Sequence, residues 1–190
     1  MGDDRILINL IAYPLYVLGP GKRVGIWTQG CSLGCQGCMS QHTWEFDTSK
    51  EMHIDTILAK LRSYSTRKIT ISGGEPFEQK NLTQLLIALR KNGYDDILVY
   101  SGYDYDALQR SHSEALSYID ALVCGLFEQD NESDKLYKGS DNQELILLRS
   151  EHEKQYSSYN KQMKDKRLQR FGSTIVGIPL QKDLRKLHAV

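Results

Sequence analysis

The chain is short of several things, and each shortage narrows what it can be. Lysine plus arginine equals aspartate plus glutamate at 24 each, so neither sign is in excess. That balance removes the electrostatic ground for nucleic acid or an acidic membrane as the main partner. No apolar run approaches the ~20 residues needed to cross a bilayer. The opening stretch, "MGDDRILINL", lacks the basic region and apolar core of a signal peptide, and Ile6 stands where a myristoylation pattern needs Ser or Thr. A cytoplasmic protein is expected. Cysteine is scarce too: of four in 190 residues, Cys31, Cys35 and Cys38 share the stretch "GCSLGCQGC" and the other is Cys124. In a reducing compartment such clustering points to metal or redox chemistry and away from disulfide staples.

What is present reads as alternating strands and helices. A chain of this length can bury roughly 70% of the surface its unfolded form exposes, enough for a single domain over 1–190. Strands are expected at Ile6–Leu10, Arg23–Thr28, Lys68–Ser72, Asp96–Ser101 and Asp120–Gly125. "TSKE" at Thr48–Glu51 has capping-box spacing before a helical face of Ile54, Ile57, Leu58 and Leu61. Asn81 is placed to cap a second helix with Leu82, Leu85, Leu86 and Leu89 on one side, ended by Asn92-Gly93, and a short helix follows near Tyr105–Arg110. This alternation argues for an α/β fold with a parallel sheet and functional loops at the strands' carboxyl ends. A closed eight-fold barrel takes about 250 residues, so the expectation is a partial barrel or an open sheet. The segment 150–170 is polar throughout and reads as a solvated helix or excursion, and 171–190 as a late strand, "STIVGIPL", and a tail.

Three thiols, and not four, suggest a metal site left open. Structural zinc normally has four protein ligands, while a reactive metal keeps a position free. A four-iron cluster held by three thiolates leaves one iron available to a small molecule, whereas electron-transfer clusters use four cysteines. Zinc remains an alternative, with His42 or Cys124 as the fourth ligand. Read alone, Cys124 is a buried strand thiol. The second feature is "GGEP" at Gly73–Pro76, after a strand. Its glycines allow close backbone approach to a ligand, Glu75 offers a carboxylate to an ammonium group, and Pro76 stiffens the exit; a plain strand-ending turn is the other reading.

The spacing C-x3-C-x2-C followed by GGEP resembles the radical S-adenosylmethionine (SAM) superfamily. Finer matches resemble the glycyl-radical-enzyme activating proteins, most closely the anaerobic ribonucleotide-reductase activating type. They are "GPGKRVGIWTQGCSLGCQGC" (Gly19–Cys38), "HTW" (His42–Trp44), "VYSGYDYDAL" (Val99–Leu108), "GLF" (Gly125–Phe127) and "YKGSDNQELI" (Tyr137–Ile146). The resemblance covers a core of about 19–148. It implies a partial (β/α) barrel, one [4Fe-4S] cluster on Cys31, Cys35 and Cys38, and SAM chelating the open iron. One electron from the reduced cluster then cleaves the sulfonium, and the resulting 5′-deoxyadenosyl radical abstracts hydrogen from a substrate. The implied partners are a glycyl-radical protein and a low-potential electron donor, with neither nucleic acid nor membrane. SAM contacts are expected from Gly37, Cys38 and Met39, from Gly73, Gly74 and Glu75, and from Ser101 and Lys138. Trp44 and Tyr103 are expected to pack over the site or into the core.

Two positions depart from the family pattern. Cys124 replaces an aspartate before glycine, removing a carboxylate from a strand end, and Lys138 replaces an arginine before Gly-Ser, keeping charge but losing the planar fork. They leave open two alternatives: a radical SAM enzyme acting on another peptide or a metabolite, and a non-catalytic metal or iron-sulfur module.

Overall fold

A computed structural model describes residues 4–157, 159 and 168–180. Its centre is a seven-stranded sheet of β1 (Arg5–Leu15), β2 (Arg23–Thr28), β3 (Glu51–His53), β4 (Lys68–Gly73), β5 (Asp96–Tyr100), β6 (Ala121–Cys124) and β7 (Glu144–Leu147), ordered β3-β1-β2-β4-β5-β6-β7. Strands β2, β4, β5 and β6 are parallel neighbours, whereas β1, β3 and β7 pair antiparallel at the flanks. The sheet is open and the parallel run is the partial barrel that was expected. Every residue of β2 is buried, as expected for a parallel strand covered on both faces.

The period of two sorts side chains onto two faces. Val24, Ile26, Ile69, Ile71, Ile97, Val99, Leu122 and Cys124 point into the layer of α1 (Ile54–Leu61) and α2 (Leu82–Lys91), joined by Leu108 of α3 (Tyr105–Ser111) and by Ala115 and Leu116 of α4 (Ser113–Leu116). On the opposite, concave face Trp27 packs with Ala12, Leu15, Val17, Leu18 and Val176. Leu98, Ala121 and Val123 pack there with Tyr137, Tyr156 and Tyr159. At the amino ends of the parallel strands Arg23 is fully buried, its Nη1 2.7 Å from Asp96 Oδ2 and its Nε 2.7 Å from Thr70 Oγ1. Its remaining donors reach the Ile69 and Asp96 carbonyls, so this buried charge is both paired and hydrogen-bonded.

Several local expectations are corrected. The capping-box residues Thr48–Lys50 form a 3-10 turn capped by Asp47, whose carboxylate accepts from Ser49 N at 2.9 Å. Glu51–His53 is then β3, and α1 starts only at Ile54. The ladder from Arg5–Leu7 to Glu51–His53 outcompetes an extra helical turn because it covers an otherwise open edge of β1. Asn81 spends its side-chain amide on the Arg5 carbonyl at 2.7 Å. In the polar segment, α5 (Glu153–Tyr156) carries Tyr156 into the concave face, with its hydroxyl 2.8 Å from Asp96 Oδ1. Tyrosine rings supply burial there that the surrounding polarity conceals. Residues 160–167 of that segment and 181–190 of the tail lie outside the described residues. The late strand is β9 (Thr174–Gly177), paired with β8 (Leu168–Phe171) as a separate hairpin.

Candidate active site

The cysteine loop leaves the carboxyl end of β2 and is tied down at its start. Gly30 N donates to Thr43 O at 2.7 Å and Cys31 N to Trp44 O at 3.0 Å, so the loop returns on itself before α1. Gly37 has φ +72°, and a Cβ there would run into the Gln129 side chain. Only glycine holds that turn at this distance from the neighbouring loop. The thiols are half-buried, and each is met by backbone amides. Leu33 and Gly34 bond to the Cys31 sulfur, Phe127 to that of Cys35, and Ser40 N lies 3.3 Å from Cys38 Sγ.

Burial pushes the Cys31 thiol up to about 11 and raises Cys35 as well, despite these amides. A raised thiol is a weaker nucleophile at neutral pH, whereas coordination to a metal deprotonates a thiol outright. Elsewhere among the described residues, ligand atoms of Asp120, Glu151 and His152 lie within 4.8 Å of one another. Asp120 is itself held by Arg90 at 2.7 Å and Arg149 at 3.3 Å, so those cations already occupy that acidic grouping.

Beside the loop, the GGEP turn ends β4. Gly74 N donates to Thr28 O and Glu75 N to Gly30 O, each at 2.9 Å. A Cβ at Gly74 would strike the Gly30 carbonyl, so the close approach of the two loops needs glycine here. The Glu75 side chain is 1% exposed, and its carboxylate accepts from Phe77 N at 3.1 Å, Ser101 Oγ at 2.9 Å and Gly102 N at 2.8 Å. It locks the ends of β4 and β5 together. Burial pushes its carboxyl up to about 7, opposed by those three donors.

The structure thus brings Cys31, Cys35, Cys38, Gly37 and Met39 beside Gly73, Gly74, Glu75 and Ser101 at the strands' carboxyl ends. Lys138 sits in the β6–β7 connection, with Nζ 2.9 Å from Asp141 O and 3.1 Å from Gln143 O. Cys124 is buried and its side chain packs in the helix-side core, the face away from Trp27. It does not join the three thiols. One positioning residue escaped the sequence reading: Glu78 accepts from Ser32 N at 2.8 Å and from the Ser32 hydroxyl, and Tyr103 OH reaches it at 2.8 Å. It braces the cysteine loop from below. Its signal was its place three residues after Glu75, which nothing in composition marks.

Comparison with known proteins identifies the family. A family described as a 4Fe-4S single cluster domain matches residues 17–146. Anaerobic ribonucleoside-triphosphate reductase-activating proteins match over most of the chain. That of Enterobacteria phage T4 is 30% identical over 154 residues, 76% of this chain and 93% of the relative. The chain belongs to this family of activating proteins. The activating protein of Vibrio cholerae is 34% identical over 143 residues, 69% of this chain and 92% of its own, and that of Escherichia coli K12 31% over 149 residues, 72% and 96%. The crystal structure of QueE from Escherichia coli overlays 52% of each chain at 26% identity with a TM-score of 0.44. As an activating protein of radical SAM type, the chain uses a [4Fe-4S] cluster and SAM. No helix among its described residues is long and apolar enough to cross a membrane.

Proposed function

We propose that this activating protein generates a glycyl radical on a partner reductase, with Cys31, Cys35 and Cys38 as the cluster ligands. When bound, the cluster supplies the electron that cleaves SAM reductively, and SAM supplies the hydrogen-abstracting group. The observation that carries the reading is the set of three half-buried thiols in C-x3-C-x2-C spacing, on the loop that leaves the carboxyl end of β2 beside the GGEP turn that ends β4.

The protein's share is positioning and exclusion of water. Backbone amides around the loop stabilise thiolates and so support the reduced, more negative state of a cluster. Gly37, Cys38 and Met39 form one wall for SAM, and Gly73 and Gly74 another, because neither glycine has a side chain to keep the ligand away. Glu75 acts through its neighbours: it holds Ser101, Gly102 and Phe77 and so fixes the rim that SAM meets. Lys138 supports the β6–β7 connection through the Asp141 and Gln143 carbonyls and places a cation on that side of the site. Residues 19–148 form the catalytic core of one domain, working in the cytoplasm with a low-potential electron donor and with no nucleic-acid or membrane partner. Four free cysteines suit such a reducing compartment.

The test mixes reduced, cluster-loaded protein with SAM and an anaerobic ribonucleoside-triphosphate reductase without oxygen. A glycyl-type doublet by electron paramagnetic resonance, with 5′-deoxyadenosine released, is expected. Deoxyadenosine without the doublet rejects that partner.

A further inference from the structure

The carboxyl ends of β2, β4 and β5 open onto a cavity on the concave face. One wall is Met39 and Ser40, directly after Cys38, with Ser72 and Tyr100, directly before Gly73 and Ser101. The facing wall is β9, from Thr174 to Ile178. The space between is about 80 Å³. Sites for drug-sized ligands run to about 300–1,000 Å³, so neither SAM nor a peptide loop fits between these walls as they stand. For this cavity to hold either, one wall has to move.

The movable one is the hairpin. The strands and loop ends opposite are laced by parallel ladders and by Glu75. The β8–β9 hairpin is a separate two-stranded sheet with no ladder to the main one. It is held by Val176 against Trp27, Ala12 and Leu15, and by Gln169, which accepts from Tyr16 N at 2.9 Å and donates to Pro14 O. Two-stranded hairpins are marginal in water on their own, so this one depends on that docking. It also lies outside the family match, which ends at residue 146. The segment seated there is extended and carries Gly177, at φ +127°, on the cavity wall.

We infer that the β8–β9 hairpin is a lid on the radical site, an intrachain stand-in for the partner's glycine-bearing segment, which lifts off Trp27 to admit SAM and then that segment. This rests on the function proposed above. By linkage, loosening the lid strengthens ligand binding, because apparent affinity scales with the fraction of open protein. The interaction surface beneath it, formed by Trp27, Leu10 and Tyr100, takes an extended glycine-containing strand.

The test uses full-length, cluster-loaded protein kept without oxygen. Hydrogen exchange of residues 168–178 is followed with and without SAM, and SAM dissociation constants are measured for the wild type, Val176→Asp and Gln169→Ala. SAM is expected to speed exchange of the wild-type hairpin at least threefold. Val176→Asp, which sets a carboxylate against Trp27, is expected to speed it without SAM and to tighten SAM binding threefold or more, with Gln169→Ala in the same direction. Slower exchange on adding SAM overturns the lid, as does unchanged or weaker binding in a variant whose hairpin exchange has risen. Should Val176→Asp fail to fold, Gln169→Ala and the wild-type arm decide. These measurements need no partner. A responding hairpin without a glycyl doublet in the reductase assay rejects the function and leaves the lid, while a doublet formed under a hairpin that stays protected does the reverse.

Discussion

Replacing Glu75 with Gln isolates the lock between β4 and β5. Glu75 Oε1 accepts from Phe77 N and Ser101 Oγ, and Oε2 from Gly102 N. In Glu75→Gln the carboxamide oxygen can keep the first pair, but its NH2 then faces the Gly102 amide, donor to donor. Losing one bond with a partner left unsatisfied costs about 1–3 kcal/mol. The wild type carries a penalty of its own, because burial pushes the Glu75 carboxyl up to about 7 from 4.5. A raised acid binds its proton more tightly when folded. Its contribution to stability is therefore intact below pH 4.5 and lost as pH rises through about 7. At 1.36 kcal/mol per unit that loss approaches about 3 kcal/mol. Glutamine does not titrate. Anaerobic urea unfolding at pH 5 and pH 8 should thus show the variant less stable at pH 5 and the gap closing or reversing by pH 8. A gap that is constant, or widens with pH, would refute this account of the Glu75 environment.

Three further outcomes follow from the same contacts. Cys31→Ala, Cys35→Ala or Cys38→Ala should each abolish the SAM-dependent cluster signal and deoxyadenosine release; a variant retaining both removes that cysteine from the ligand set. Cys124→Ala, on the helix-side face, should cost about 1 kcal/mol of stability for its small cavity and leave iron content unchanged by metal analysis. Arg23→Met removes the closest cation from the buried Asp96 carboxylate, leaving it Lys68 at 3.4 Å and the Tyr156 hydroxyl, and should cost about 3 kcal/mol by denaturant melt. Burial alone would raise Asp96, but Arg23, Tyr156 and Lys68 override it and hold the carboxyl below its ordinary value. The stability this gives is present above pH ~3.9 and lost as pH falls through the lower folded value, so Arg23→Met should flatten the acid limb of the wild-type curve.

Much of this frame was legible because β2, β4, β5 and β6 are apolar runs between glycine-rich turns, and because the cysteine spacing followed by GGEP carries a family resemblance that implies its chemistry. Pairing direction was not legible: β1 and β7 carry the same alternation whether they run with their neighbours or against them. Thr48–Glu51 read as a capping box because local spacing cannot reveal that Glu51–His53 has a sheet edge waiting at Arg5. Glu75 illustrates the same limit at the site. A carboxylate after two glycines looks aimed at a ligand, yet its partners Ser101 and Gly102 lie on a different strand end and are found only in three dimensions. The hairpin's place on the concave face was equally hidden, since β8 and β9 contact residues some 150 positions earlier, as Gln169 does Pro14 and Tyr16.

The most direct measurement is the resonance spectrum of the reduced, oxygen-protected protein recorded with and without SAM. A four-iron signal whose shape changes on adding the sulfonium is the expected result, because the three proposed cysteine ligands would leave one iron free to receive it. A signal identical in both samples, or zinc in place of iron, would contradict the account at its root.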